Sequence, residues 1–321
     1  MSTGPAGRVA GSTLRPHCET ALRGRVRTFL RTADGVAIDA AYDPGSAVYD
    51  TACTPSGHLK DLAIVVAHGF TGDLERPHVR RVAGVLARYG AVVTFSFRGH
   101  GASGGRSTVG DREVYDLAAA VRWARELGHT RVATVGFSMG GSVALRHAAL
   151  YGSSAVSLPS ARPSRPAAFC VPEHEGRAEA GTDAVVSVSA PARWFYRGTA
   201  PMRRLHWLVT RPAGRLVGRY GLRTRIHHRD WDPVPASPVE SVPLIAPTPL
   251  LIVHGDRDGY FPLDHPRMLA DAAPGHAELW LEQGMGHAEH ASDGELVARI
   301  GRWLSAGAVG RDPGAERRDT R

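Results

Sequence analysis

Residues 131–141 read Arg131-Val132-Ala133-Thr134-Val135-Gly136-Phe137-Ser138-Met139-Gly140-Gly141, and the helical run SVALRHAAL (142–150) follows at once. An apolar run of strand length, a G-x-S-x-G string and a helix make up the strand–turn–helix context in which this motif has chemical meaning. A turn that sharp holds the serine in a strained backbone region, and glycines two before and two after it avoid clashes with the neighbouring chain. The hydroxyl then stands out at the sheet edge. The helix N-terminus aims its dipole and free N–H groups at the same spot, which favours negative charge on an attacked carbonyl oxygen. Ser138 is therefore the candidate nucleophile. The competing reading is a small-residue turn that packs a helix on a strand, and residues elsewhere in the chain decide between the two.

A serine nucleophile needs a base, and the base needs an orienting carboxylate. In this chain order the acid follows a late strand and the histidine comes last. After the strand PLLIV (249–253) comes His254-Gly255-Asp256-Arg257-Asp258-Gly259-Tyr260-Phe261-Pro262, and after AELWL (277–281) comes Glu282-Gln283-Gly284-Met285-Gly286-His287. Both loops leave the C-terminal ends of strands, where the sites of open parallel sheets gather. Asp258 is preferred over Asp256 because it lies further into its loop, and Asp256 is read as a brace of the turn. Among 16 histidines, His287 is separated by position; His290 falls three residues later, where a closing helix approaches. The loop after LAIVVA (62–67) reads His68-Gly69-Phe70-Thr71-Gly72, so the backbone N–H groups of Phe70 and Met139 are the candidate oxyanion donors and His68 is a structural brace.

Two rival motifs carry less. Gly99-His100-Gly101-Ala102-Ser103-Gly104 matches G-x-G-x-x-G after a strand, but GRSTVG (105–110) intervenes before any helix, so it reads as a tight loop and not as a dinucleotide cradle. His287 with His290 resembles a metal pair, yet no third histidine or carboxylate follows at ligand spacing. Neither cofactor nor metal is expected.

Outward from the elbow, strand-length apolar runs alternate with helix-period segments, the signature of a mainly parallel α/β sheet. RVRTFLRT (25–32) and VAIDAAY (36–42), joined through Asp34-Gly35, predict an opening antiparallel hairpin. Strands are further expected at 62–67, 91–97, 131–135, 184–189, 249–253 and 277–281, with helices from Arg76 to Tyr89, Asp111 to Leu127 and Gly294 to Leu304. That makes eight strands, two in a hairpin and six mainly parallel. The segment 1–24 is expected to be flexible, 153–182 to be a mobile surface excursion, 191–247 to be a lid inserted into the domain 25–305, and 306–321 to be a disordered tail.

Of 321 residues, 43% are hydrophobic and 22% charged, which excludes collagen-like, coiled-coil and wholly disordered chains. The three cysteines (Cys18, Cys53, Cys170) lack C-x-x-C pairing, so neither a disulfide framework nor a zinc site is indicated. No run approaches the roughly 18 apolar residues of a membrane span. A soluble, cytoplasmic protein is expected. The net charge of +8 is localised: nine arginines and no acid lie between Arg197 and Arg229, leaving 30 basic against 31 acidic residues elsewhere. The excess therefore belongs to the lid, and nucleic acid is not an expected partner. The mixed stretch 202–220 is read as a lid with an apolar inner lining, Pro212 and Gly214 breaking its helix and solvated arginines outside, in preference to a membrane-surface contact.

His68-Gly69-Phe70, Phe97 to Gly105, Gly136 to Gly141, His254 to Pro262 and Gly286-His287 together resemble the α/β-hydrolase superfamily. Within it the likeness is to serine aminopeptidases, monoacylglycerol-lipase-like enzymes and bacterial esterases. It covers roughly residues 25 to 305 outside the lid and the 153–182 excursion. The resemblance implies an eight-stranded, mostly parallel sheet flanked by helices, and an acyl-enzyme on Ser138 with His287 as base and Asp258 holding its tautomer. A small-molecule acyl substrate follows, with a carboxylic ester first. An aminopeptidase or thioesterase is the alternative within the fold, and a non-catalytic binding protein the alternative outside it. The acid-free lid argues against holding a substrate ammonium group, although Asp230, Asp232 and Glu240 lie close in sequence.

Overall fold

A computed structural model describes residues 24–45, 61–152 and 178–306. All but residue 24 of the expected flexible N-terminus (1–24), all but residue 306 of the expected disordered tail (306–321) and most of the 153–182 excursion lie outside the described residues. The end of that excursion is ordered: a 3-10 turn at Ala178–Ala180 leads into the sheet, and the Thr182 hydroxyl donates to the carbonyl of Ala184 at 2.9 Å.

Eight strands form one sheet: β1 (Val26–Arg31), β2 (Ala37–Asp43), β3 (Leu62–Ala67), β4 (Ala91–Phe95), β5 (Arg131–Phe137), β6 (Ala184–Val188), β7 (Leu250–Gly255) and β8 (Ala277–Glu282). Their order is β1-β2-β4-β3-β5-β6-β7-β8. The β1–β2 and β2–β4 pairs are antiparallel and the remaining pairs parallel. β3 and β5, paired from Leu62↔Arg131 to Ala67↔Gly136, lie at the middle. Both are buried on two faces, which is why they read as continuous apolar runs.

Each face has its own core. Ala63, Val65 and Ala67 point to one, with helices α2 (Glu113–Glu126) and α3 (Met139–Tyr151). Leu62, Ile64 and Val66 point to the other, with α1 (Pro77–Leu86) and the closing helix over Gly294–Ala306. This two-residue alternation on one strand produces a three-layer structure.

Three boundaries differ from expectation for physical reasons. β4 ends at Phe95, not Phe97, because the chain leaves the ladder where the Phe97 N–H donates to His68 Nε2 (3.0 Å) and the Arg98 N–H to Asp116 (2.8 Å). α1 stops at Leu86, ahead of Gly90; Gly90 instead makes room, since a Cβ there would lie 2.7 Å from the Leu62 carbonyl oxygen. α2 begins at Glu113, not Asp111, with the carboxylates of its first turn, Glu113 and Asp116, buried. Glu113 gathers the N–H groups of Thr108 and Gly110, and Asp116 pairs with Arg98 at 2.7 Å.

The insertion between β6 and β7 contains α4 (Ala200–Thr210) and α5 (Pro212–Gly221). The break falls at Arg211, with Pro212 opening α5. Gly214 does not break the helix but lies inside α5, where a Cβ would press on the Trp207 and Leu208 backbone of α4 at 2.5–2.8 Å. Met202 and Leu208 face inward, while Arg203, Arg204, Arg211 and Arg219 are exposed. The apolar lining is incomplete, because Trp207, Leu216, Val217 and Tyr220 also face solvent. The last stretch of the insertion is sewn to the loop after β4: Ser107 N–H donates to the Arg225 carbonyl (2.7 Å), Arg225 N–H to Gly99 (2.8 Å) and His227 N–H to Ser107 (2.8 Å). A Cβ on Gly99 would strike the Arg225 carbonyl oxygen, so the G-x-G-x-x-G match is a tight loop shaped for the insertion. Among the described residues no helix is long and apolar enough to cross a membrane.

Candidate active site

Ser138 stands between β5 and α3 with φ 51° and ψ −115°, a conformation that non-glycine residues rarely adopt. The strain is held by tight surroundings. The Ser138 N–H donates to the Val188 carbonyl at 2.8 Å, and its own carbonyl accepts the Ser142 N–H at 3.1 Å. A side chain on Gly136 would collide with the Gly140 carbonyl, and one on Gly140 with that of Ala67. The two motif glycines therefore allow β5, α3 and the end of β3 to meet at the serine.

The structure brings the three separated side chains together. His287 Nε2 lies 2.9 Å from Ser138 Oγ, and His287 Nδ1 lies 2.8 Å from Asp258 Oδ2. A carboxylate only accepts, so Nδ1 carries the proton and Nε2 is left to accept from the serine hydroxyl. The Asp258 side chain is fully buried. Burial alone pushes its carboxyl up, but the His287 hydrogen bond, aided by the Phe261 N–H, holds it below the usual carboxylate range. Its Oδ1 accepts the N–H groups of Tyr260 (2.8 Å) and Phe261 (3.1 Å), which fixes the plane of the carboxylate. The Tyr260 ring stacks on His287 with centroids 4.2 Å apart and limits its rotation.

Around the expected oxyanion position the amides sort themselves. Gly69 N–H donates to Glu289, Thr71 N–H to His100 and Gly72 N–H to the Gly69 carbonyl. Among the described residues, the Phe70 and Met139 N–H groups have no such partner, and both residues line the cavity that contains Ser138. That cavity, about 490 Å³, is walled largely by the insertion, with Trp194, Phe195 and Trp231 as its aromatic lining.

His68 is a brace, as the sequence suggests. Its Nε2 accepts the Phe97 N–H at 3.0 Å, so its Nδ1 carries the proton and donates to the Gly69 carbonyl at 2.7 Å. Burial, then the nearby His100, depress its pKa to about 3. Because the folded value lies below the unfolded 6.5, unfolding takes up a proton. The stability His68 contributes is complete above pH 6.5 and is lost as pH falls toward 3. Chemical denaturation is expected to show a loss on moving from neutral to pH 5 that is about 2 kcal/mol smaller in His68→Gln than in wild type. An equal pH dependence in the two proteins would remove His68 from that role.

Asp256 braces the neighbouring turn, accepting the Gly284 N–H at 2.6 Å. His290 does not join His287. It packs against His78, with ring centroids 3.7 Å apart and the planes tilted by 41°. The sequence assigns no role to three supporting residues. His254 Nε2 donates to the Phe261 carbonyl at 2.9 Å beneath the Asp258 loop, Ser189 Oγ accepts the Ala288 N–H at 3.1 Å, and the buried Glu289 carboxylate accepts the Gly69 N–H at 3.0 Å. The last two act across long sequence separations, which neither periodicity nor motif spacing reveals.

A nucleophile elbow feeding an open parallel sheet, with acid and histidine loops at its carboxyl edge, defines an α/β-hydrolase fold. The sequence pattern of the alpha/beta hydrolase family matches residues 64–300, and the chain belongs to that family. Among solved structures it is similar to an esterase of Pyrococcus furiosus, at 22% identity and TM-score 0.59 over 88% of this chain and 92% of that one. It is also similar to an α/β serine hydrolase without lid from Xanthomonas campestris, at 19% identity and TM-score 0.52 over 89% and 94%. A third likeness is to the α/β hydrolase GrgF of a Penicillium species, at 17% identity and TM-score 0.60 over 89% and 99%. No curated protein matches the chain.

Proposed function

We propose that the protein is a serine hydrolase that cleaves carboxylic esters through an acyl-enzyme on Ser138. The observation that carries this reading is the continuous relay Ser138 Oγ, His287 Nε2, His287 Nδ1, Asp258 Oδ2, with contacts of 2.9 and 2.8 Å. His287 takes the hydroxyl proton as Ser138 attacks the acyl carbonyl, and Asp258 stabilises the imidazolium. The Phe70 and Met139 N–H groups hold the developing oxyanion. His287 then protonates the leaving alcohol, and water, deprotonated by the same imidazole, releases the acid. The aromatic cavity suits an acyl group of moderate size. Its rim, with Arg193, Arg197 and Arg229, suits a neutral or anionic substrate.

A panel of p-nitrophenyl acyl esters, acyl thioesters and aminoacyl arylamides tests the reading, alongside a fluorophosphonate probe followed by peptide mass spectrometry. Esters are expected to be turned over fastest and the phosphonyl adduct to fall on Ser138. An adduct elsewhere, or none, rejects the mechanism. Preference for aminoacyl arylamides would instead select the serine-aminopeptidase reading, which Asp230 supports as the carboxylate lining the same cavity.

A further inference from the structure

The loop that carries His287 continues into Glu289 and His290, and these meet His78 in the first turn of α1. We infer that His78, Glu289 and His290 form a binding site for a borderline transition-metal cation, Zn²⁺ first among them. One ligand atom from each residue lies within 4.8 Å of the others, and His78 Nε2 is 3.7 Å from Glu289 Oε1. Tetrahedral zinc with nitrogen and oxygen ligands at about 2.0–2.2 Å sets those atoms roughly 3.3–3.5 Å apart. The His78–Glu289 pair needs only a few tenths of an ångström of contraction, and the exposed His290 ring, already against His78, closes the remaining gap by side-chain rotation.

A second observation points to a ligand. His78 Nε2 is buried and has no hydrogen-bond partner among the described residues, although it lies in a polar cluster. Two imidazoles and a carboxylate are the donor set that suits zinc. The outer contacts that orient such ligands are present: the Gly69 N–H on Glu289 Oε1 at 3.0 Å, and Arg81 Nη2 on the backbone carbonyls of Glu289 (2.8 Å) and Ser292 (2.9 Å).

Glu289 and His290 line a groove that also reaches Ser138 and His287, so a cation would enter from that side, with His78 Nε2 beneath it. The positive charges of Arg76 and Arg81 oppose the cation. Binding therefore falls well short of a closed four-ligand site, with a dissociation constant on the order of 10 μM.

The competing feature is the surface pair His227 and His228, whose rings stack 5.0 Å apart. The experiment uses the full chain freed of metal, titrated calorimetrically with zinc chloride near neutral pH, with Co²⁺ absorption as a report of coordination geometry. One Zn²⁺ per chain is expected in wild type. Binding should weaken more than about tenfold in His290→Ala, a surface change the fold tolerates, and likewise in His78→Gln, while His227→Ala/His228→Ala retains it. Absence of uptake by wild type, or binding that persists in His290→Ala and vanishes in the 227/228 variant, would overturn the assignment.

Discussion

Ser138→Ala is expected to lower kcat for the best acyl ester by about 10⁴- to 10⁶-fold and to abolish fluorophosphonate labelling, with the circular dichroism spectrum unchanged. In the proposed mechanism, the size of the effect follows from the loss of the attacking atom. Without Oγ, only the Phe70 and Met139 amides and the cavity remain to lower the barrier for direct water attack. The fold should survive because Ser138 is held by its backbone, through the Val188 carbonyl and the Ser142 N–H, while among the described residues its hydroxyl hydrogen-bonds only His287. Alanine accepts the positive φ no worse than serine does. Residual turnover within tenfold of wild type, in protein shown by mass to carry the substitution, would exclude Ser138 as the nucleophile.

Asp258→Asn should cost about 10⁴-fold in kcat with little change in KM, through a different route. The carbonyl oxygen of the introduced amide is claimed by the Tyr260 and Phe261 N–H groups, which in the native protein bind Asp258 Oδ1 at 2.8 and 3.1 Å. That leaves the amide NH₂ facing His287 Nδ1, where the carboxylate Oδ2 stood. An NH₂ group donates, so Nδ1 must accept and the ring proton moves to Nε2. His287 then offers a donor to Ser138 and can no longer act as its base. Activity should rise with pH in the variant as hydroxide substitutes for the missing base. A loss below about tenfold would mean that the orientation of His287 rests on the Tyr260 stack and not on Asp258.

Much of the site was legible because its chemistry requires backbone forms that only certain residues allow. Gly136 and Gly140 flank Ser138 because carbonyl groups occupy the space their side chains would need, and a local string records that necessity. Strands such as β3 and β7 were legible because burial on both faces leaves apolar runs without alternation. The supporting contacts were not legible. Glu289 reaches Gly69, and Ser189 reaches the turn after His287, across separations where nothing in the local pattern reports the meeting. His78 reads in sequence as one helical residue beside a proline, and only the packing of α1 against the His287 loop gives it neighbours. The insertion was recognised by its composition, but its two helices and their close crossing at Gly214 depend on tertiary contact.

The stitching of residues 225–227 to the Gly99–Ser107 loop bears on how molecules come and go. A flap swinging clear of the sheet would break three backbone hydrogen bonds there and the Trp231 indole bond to the Thr108 carbonyl at 2.7 Å. That is a high toll for every catalytic cycle, and nothing in the geometry demands it. A route that needs no such movement is already present beside α4, where the groove past Tyr260 and His287 opens to water. The width of that threshold is set by side chains such as Met202 and Leu205, and passage along it asks nothing of a hinge.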